Sequence, residues 1–167
     1  MFVLGHLGIG SRLLFGLRRR LPAWPLYLGC LLPDLIDKPL YYGLLALHRL
    51  PPLISGTRTF GHTGIFLLLV ALAAALGRRA WLRAIAAGVA THFALDIAGE
   101  LVTGADPESS IWLAIFFPAE GLRFPLAHFT SLAEHLALSA QSAYVVVGEV
   151  IGGAILLHAV WRRRQPS

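Results

Sequence analysis

The stretch Gly88-Val-Ala-Thr-His92-Phe-Ala-Leu-Asp96-Ile-Ala-Gly-Glu100 decides how this chain is read. It lies within an apolar run, residues 81–102, and a bilayer-crossing helix needs about 20 mostly apolar residues. The same run carries His92, Asp96 and Glu100 at intervals of four, which puts all three on one helix face. An ionisable side chain at the centre of such a helix costs roughly 2.5–3.5 kcal/mol on insertion scales. A cost met repeatedly on one face marks a functional stripe.

Composition extends that reading to the whole chain. Of 167 residues, 56% are hydrophobic and 14% are charged, with a mean hydropathy of +0.68. Soluble domains carry about 25% charged residues, so a soluble globule is not expected and a disordered chain is excluded. The expectation is one integral membrane domain over residues 1–167, an all-α polytopic helical bundle. Cys30 is the single cysteine, which rules out an internal disulfide framework and a Cys-rich zinc site. The pI near 10.1 does not point to nucleic acid, because the arginines cluster beside apolar runs.

Four segments are long enough to span: residues 23–47, 60–77, 81–102 and 143–161. A fifth, residues 2–17, is short, which makes four to five transmembrane helices. No small-residue cleavage site follows Arg18, Arg19 and Arg20, so a cleaved signal is not expected. By the positive-inside rule, those arginines, then Arg78, Arg79 and Arg83, then Arg162 to Arg164 belong in the cytoplasm of a prokaryotic-type cell. The C-terminus is then cytoplasmic and residues 103–142 lie outside. In that orientation His62, Asp96 and Glu100 fall in the outer half, near the depth of Asp34 and Asp37.

The remaining intramembrane polar groups sharpen the site. Asp34 and Asp37 share a helix face at i, i+3, in Leu32-Pro33-Asp-Leu-Ile-Asp37-Lys38-Pro39. Proline kinks or breaks a helix, and a broken helix at membrane depth is tolerated where it lines a polar cavity. A break bearing ligands is therefore expected here. His62 opens its segment in Arg58-Thr-Phe-Gly-His62-Thr63, and His6 lies near the start of the chain. Imidazole and carboxylate together suit a divalent metal, with Zn first and Mn, Fe or Mg as alternatives. The expected metal ligands are His6, Asp34, His62, His92 and Asp96.

Several residues read more simply. His48, His128, His135 and His158 are expected to be structural or solvent-facing. Glu149, among Gly148, Gly152 and Gly153, suits a tightly packed helix with the acid bonded to a neighbour. Asp37 has a plain ion pair with Lys38 or Arg58 as its alternative reading, and the whole His/Asp set has an interhelical polar network as its own.

The ordered set of His6, Leu32-Pro33-Asp34, Arg58 to Thr63, and His92-x-x-x-Asp96, followed by the apolar residues 111–117 and Pro118, resembles the YdjM-like family of membrane-bound, metal-dependent hydrolases over roughly residues 1–125. The chain departs from that family's Pro-Asp-x-Asp-His element. Its second Asp, Asp37, comes one place later, and Lys38 stands where His is usual, leaving Lys38 as a substrate or counter-charge group. The resemblance implies hydrolysis of a phosphoester or other ester on a lipid-like substrate, through a metal-activated water. Asp37 or Glu100 is then the expected general base, and Arg58 the group that holds phosphate. The rival expectations are cation or proton translocation through the same groups and a purely structural membrane subunit.

Overall fold

A computed structural model describes residues 3–14, 21–104 and 106–164, the side chain of Arg163 excepted. Every regular element in it is helical: α1 (Val3–Gly8), α2 (Gly10–Leu13), α3 (Ala23–Ala46), a 3-10 turn (Phe60–His62), α4 (Gly64–Gly77), α5 (Ala80–Thr103), α6 (Ile111–Ile115), α7 (Leu132–Ala140) and α8 (Ala143–Arg164). No strand occurs among the described residues. The expected segment 2–17 is described over residues 3–14 only; Arg18, Arg19 and Arg20 lie outside the described residues. Helices α1 and α2 are nearly one: Ile9 between them is helical, and the Leu13 amide donates to the Ile9 carbonyl at 3.0 Å.

Among the described residues, two helices are long and apolar enough to cross a membrane: α5, and α8 over Ala143–Arg162. Helix α3 has 24 residues, but its middle carries Asp34, Asp37 and Lys38. Helix α4 has 14 residues, about 21 Å at ~1.5 Å per residue, short of a hydrocarbon core of about 30 Å. The expected span over residues 60–77 is thus shortened, and the cause is Thr63. Its hydroxyl accepts from the Phe66 amide at 3.0 Å and donates to the Phe60 carbonyl at 2.9 Å, so it starts α4 and ends the 3-10 turn before it.

The break expected at Pro33 and Pro39 does not occur: α3 runs unbroken through both prolines. Each proline removes one N–H from the helix ladder, and neighbouring helices support the backbone around it. That support is close-range. A Cβ added to Gly29 would sit 2.2 Å from the Ile85 carbonyl, and one on Gly88 would sit 2.4 Å from the Leu26 carbonyl. Only glycine permits so close an approach of α3 and α5. The crossing places His92, one turn beyond Gly88, against the α3 turn that leads to Asp34.

A second glycine contact joins α1 to α8, where a Cβ on Gly8 would meet the Gly152 carbonyl at 2.2 Å. Glu149 completes it by accepting the Leu4 and Gly5 amides at 3.0 and 2.8 Å. These are orphan donors of the first turn of a helix, where a carboxylate is favoured. Glu149 therefore anchors the helix that carries His6.

The connection between α5 and α8 folds back over the site. Phe124 is buried between Phe117 and Phe60, with ring centroids 4.4 and 5.2 Å away. The Ala127 amide donates to the Ser55 carbonyl at 2.8 Å, and the Ser55 hydroxyl to the Phe124 carbonyl at 3.0 Å. The apolar residues 111–117 form α6 and the turn after it, with Ile111, Leu113 and Ala114 buried. Elsewhere much apolar surface faces outward. Leu68, Leu69, Leu72 and Leu76 of α4 are exposed, and so are Val150, Ile151 and Leu157 of α8.

Candidate metal centre

Each residue of the Arg58-Thr-Phe-Gly-His62-Thr63 segment has a distinct part in building the site. Gly61 lies so close to α3 that a Cβ there would be 2.7 Å from the Pro33 carbonyl. This lets the 3-10 turn settle on Asp37, which is fully buried. Asp37 accepts the Thr59 amide (2.7 Å), the Thr59 hydroxyl (2.8 Å) and the Gly61 amide (2.8 Å), and its Oδ2 lies 2.7 Å from His62 Nδ1. A carboxylate in that role is an acceptor only, so His62 Nδ1 donates to it. The His62 Nε2 lone pair is thereby aimed inward, away from Asp37.

His92 is oriented the same way from the other side. Its Nδ1 lies 2.8 Å from the Cys30 carbonyl, which can only accept. The His92 Nε2 lone pair therefore also faces inward, and the two Nε2 atoms stand 3.1 Å apart. Two lone pairs at that distance repel unless a cation lies between them. Carboxylate oxygens close in as well: Asp34 Oδ1 is 3.7 Å and Asp96 Oδ2 3.6 Å from His62 Nε2, and Asp96 Oδ2 is 3.8 Å from His92 Nε2.

These separations fit a metal. Donor atoms at about 2.0–2.2 Å from one ion in a tetrahedral arrangement lie about 3.3–3.6 Å from each other. The four separations here run from 3.1 to 3.8 Å. A single proton would satisfy one pair of these atoms, whereas a divalent cation satisfies all four. Two triads share His92: Asp34, His62 and His92, and His6, His92 and Asp96, each with ligand atoms within 4.8 Å of one another.

His6 adds an independent observation. It is buried, and neither of its ring nitrogens has a hydrogen-bond partner. Its Nδ1 has no hydrogen bond to offset the loss of water, and a buried orphan of that kind is rare. Its ring stacks on His92 at 3.9 Å with an interplanar angle of 13°, and its Nε2 is 3.4 Å from Asp96 Oδ1. Asp96 thus offers one oxygen to each side of the cluster. All five residues read from the sequence as ligands, His6, Asp34, His62, His92 and Asp96, are brought together.

The three residues read as catalytic are placed differently. Arg58 Nε lies 3.4 Å from Asp96 Oδ2, at the edge of the cluster and 35% exposed. Asp37, expected as a general base, instead stands behind His62 with its oxygens taken by four donors; it is the carboxylate of a carboxylate–histidine pair that sets ring orientation. Glu100, the other expected base, accepts the Ser110 hydroxyl and the Ile111 amide, both at 2.6 Å. It caps the start of α6 rather than joining the cluster. Lys38 bonds Asp34 Oδ2 at 2.6 Å, so the plain ion pair considered for Asp37 belongs to Asp34.

Two cavities open beside the cluster. One, of about 240 Å³, is lined by Asp34, Lys38, Arg58 and Asp96 below and by Phe129 and His135 above. The other, of about 190 Å³, shares Arg58 and Asp96 and extends past Glu100 to Tyr144. His135 was read from the sequence as structural or solvent-facing, yet it is part of the cavity wall. The local sequence signal, Ser131-x-x-Glu134, is a capping box that starts α7 just before His135 but does not say what His135 faces.

No family model, no curated protein and no solved structure matches this chain. The reading of the site rests on its geometry.

Proposed function

We propose that this chain is a membrane-embedded, metal-dependent hydrolase of a phosphoester, or another ester, on a lipid-like substrate. One observation carries the reading: five buried or nearly buried His and Asp side chains converge, with His62 Nε2 and His92 Nε2 3.1 Å apart and carboxylate oxygens 3.6–3.8 Å from them. That arrangement suits a divalent cation, Zn first by its mixed imidazole and carboxylate donors. His6, Asp34, His62, His92 and Asp96 would hold it. Once bound, a divalent metal supplies Lewis acidity and lowers the pKa of a water.

The chain's own groups do the rest. Asp37 fixes the His62 ring, and the Cys30 carbonyl fixes that of His92, so the ligands need no reorganisation on loading. Arg58 and Lys38 place positive charge beside the cluster, which suits an anionic reacting group. The similarity in motif order to YdjM-like proteins supports the same class of reaction. Membrane embedding is supported by α5 and α8 and by the exposed leucines of α4, which hydrocarbon matches and water does not. A four- to five-span bundle with the site in the outer leaflet, as the arginine clusters imply, remains part of this proposal.

The test is turnover by the purified chain in detergent, using a chromogenic phosphodiester and a phosphatidic acid in parallel. The reading expects hydrolysis that a chelator stops, zinc or manganese restores, and His62→Ala abolishes. Cation flux through proteoliposomes with no turnover of any ester would instead favour translocation.

A further inference from the structure

Helix α7 buries none of its residues, yet it is held firmly over the cluster. Its start is encoded locally. The Ser131 hydroxyl accepts the Glu134 amide at 3.1 Å, and the Glu134 carboxylate accepts the Thr130 amide and hydroxyl at 2.7 and 3.0 Å. These bonds to Thr130 hold the exposed Glu134 carboxyl below its ordinary range. Within α7 only His135 and Ser139 are partly buried. They are spaced i, i+4, share a face, and both line the 240 Å³ cavity.

His135 is held by two aromatic neighbours, Tyr42 and Phe129. Its Nδ1 lies 2.5 Å from the Tyr42 hydroxyl of α3. One face stacks on Phe129 at 4.1 Å and 4°. Phe129 is itself fixed, its carbonyl accepting the Tyr41 hydroxyl at 3.1 Å. The groups facing His135 are Lys38, Asp34 and Tyr42 from α3 and Arg58 from the segment before the 3-10 turn. Burial, with the Lys38 and Arg58 cations, pushes the imidazole down to about 4 against the opposing pull of Asp34. It is therefore neutral at physiological pH.

We propose that this cavity binds a phosphoryl group, and that His135 is a substrate-contacting residue whose imidazole hydrogen-bonds a phosphoryl oxygen opposite Lys38 and Arg58. The proposal deepens the hydrolase reading and rests on it for the chemistry of the group bound. With Asp34 and Asp96 committed to a cation, Lys38 and Arg58 leave the cavity net positive. Ser139, which also lines it, adds a hydroxyl donor suited to a tetrahedral oxyanion. Held by Tyr42 and Phe129, the ring is positioned before a ligand arrives, which lowers the entropy cost of the bond it makes.

The test is binding, not turnover. The whole chain, ¹⁵N-labelled at histidine and loaded with zinc in detergent, is titrated with inorganic phosphate and, separately, with a short-chain phosphatidic acid. The His135 resonances are assigned by their loss in His135→Gln. The proposal expects them to move in at least one titration, and expects His135→Gln to weaken binding about tenfold, the effect of one hydrogen bond to a charged group, with zinc content unchanged. Tyr42→Phe should weaken binding less while leaving zinc content unchanged. A response to phosphate alone means that the phosphoryl group suffices; a response only to phosphatidic acid means that the acyl chains are needed as well. Unmoved His135 resonances in both titrations, or equal affinity in His135→Gln, overturn the proposal. Turnover that persists in His135→Gln with those resonances unmoved sinks the proposal and spares the hydrolase reading; phosphate binding with no turnover of any ester does the reverse.

Discussion

Helices α5 and α8 are alike in length and apolarity, and both bear acids where hydrocarbon is expected. They differ in what those acids face. About 44% of the apolar window of α5 is buried inside the molecule, against 11% for α8. Glu149 of α8 presents two oxygens to two amides, so its hydrogen bonding is closed. Glu100, at the end of α5, is closed in the same manner by Ser110 and Ile111. Asp96 and His92, one and two turns earlier, face the candidate metal-ligating atoms of His6, His62 and Asp34, with Arg58 Nε 3.4 Å from Asp96 at the edge. An acid inside an apolar helix is thus not by itself a site. What marks a site is the convergence of imidazole nitrogens and carboxylate oxygens from separate segments on one point, which suits a cation.

Substitutions can break this contrast, and the largest effect is expected at Asp96. Asp96→Asn removes the carboxylate that touches His6, His62, His92 and Arg58, and should lower zinc affinity more than about a hundredfold, beyond the range of an outer-shell change. Competition with a chelator reads this directly. Asp37→Asn leaves every ligand in place but loosens the His62 ring, so a loss of about 10–100-fold is expected in the same assay. Equal affinity in Asp37→Asn would show that His62 needs no orienting partner.

Glu149→Gln should leave zinc affinity within about threefold while costing about 1–2 kcal/mol of stability, the loss of charge-assisted bonds to two amides. Denaturation in detergent measures the second effect. A large fall in zinc affinity would mean that α8 is coupled to the site as tightly as α5.

The smallest effect concerns pH. Because His135 titrates at about 4 in the folded chain and near 6.5 when unfolded, the unfolded state gains its proton first. Stability from this group is complete above about pH 6.5 and is lost as pH falls toward 4. His135→Gln should flatten that part of the stability profile; an unchanged profile would mean that His135 is solvated.

Sequence spacing carried much of the cluster's membership. The i, i+4 pair His92 and Asp96 and the Pro33-Asp34 segment could be read from helix periodicity, and tertiary packing brought them together. Three things were not legible there. Which carboxylate holds a ligand and which holds the ligand's other nitrogen depends on the 3-10 turn at Gly61, so Asp37 and Asp34 could not be separated by spacing alone. The prolines of α3 promised a break, yet the glycine-mediated crossing with α5 supports a continuous helix. The cover over the cavity comes from residues 104–142, where aromatic contacts and backbone bonds set the path with no periodicity, and His135 was hidden for that reason. Thr63 as a helix start, by contrast, was available in the sequence as a capping residue and shortens the span it opens.

The central claim is that the His/Asp cluster is a metal centre, and metal content tests it most directly. Elemental analysis of the chain purified in detergent without added chelator should find about one or two equivalents of a divalent metal per chain in the wild type. His62→Ala and His92→Ala should each lose most of it, and Glu149→Gln should keep it. Substoichiometric metal that is the same in all four proteins would contradict the account and leave the cluster as a proton-sharing network between helices.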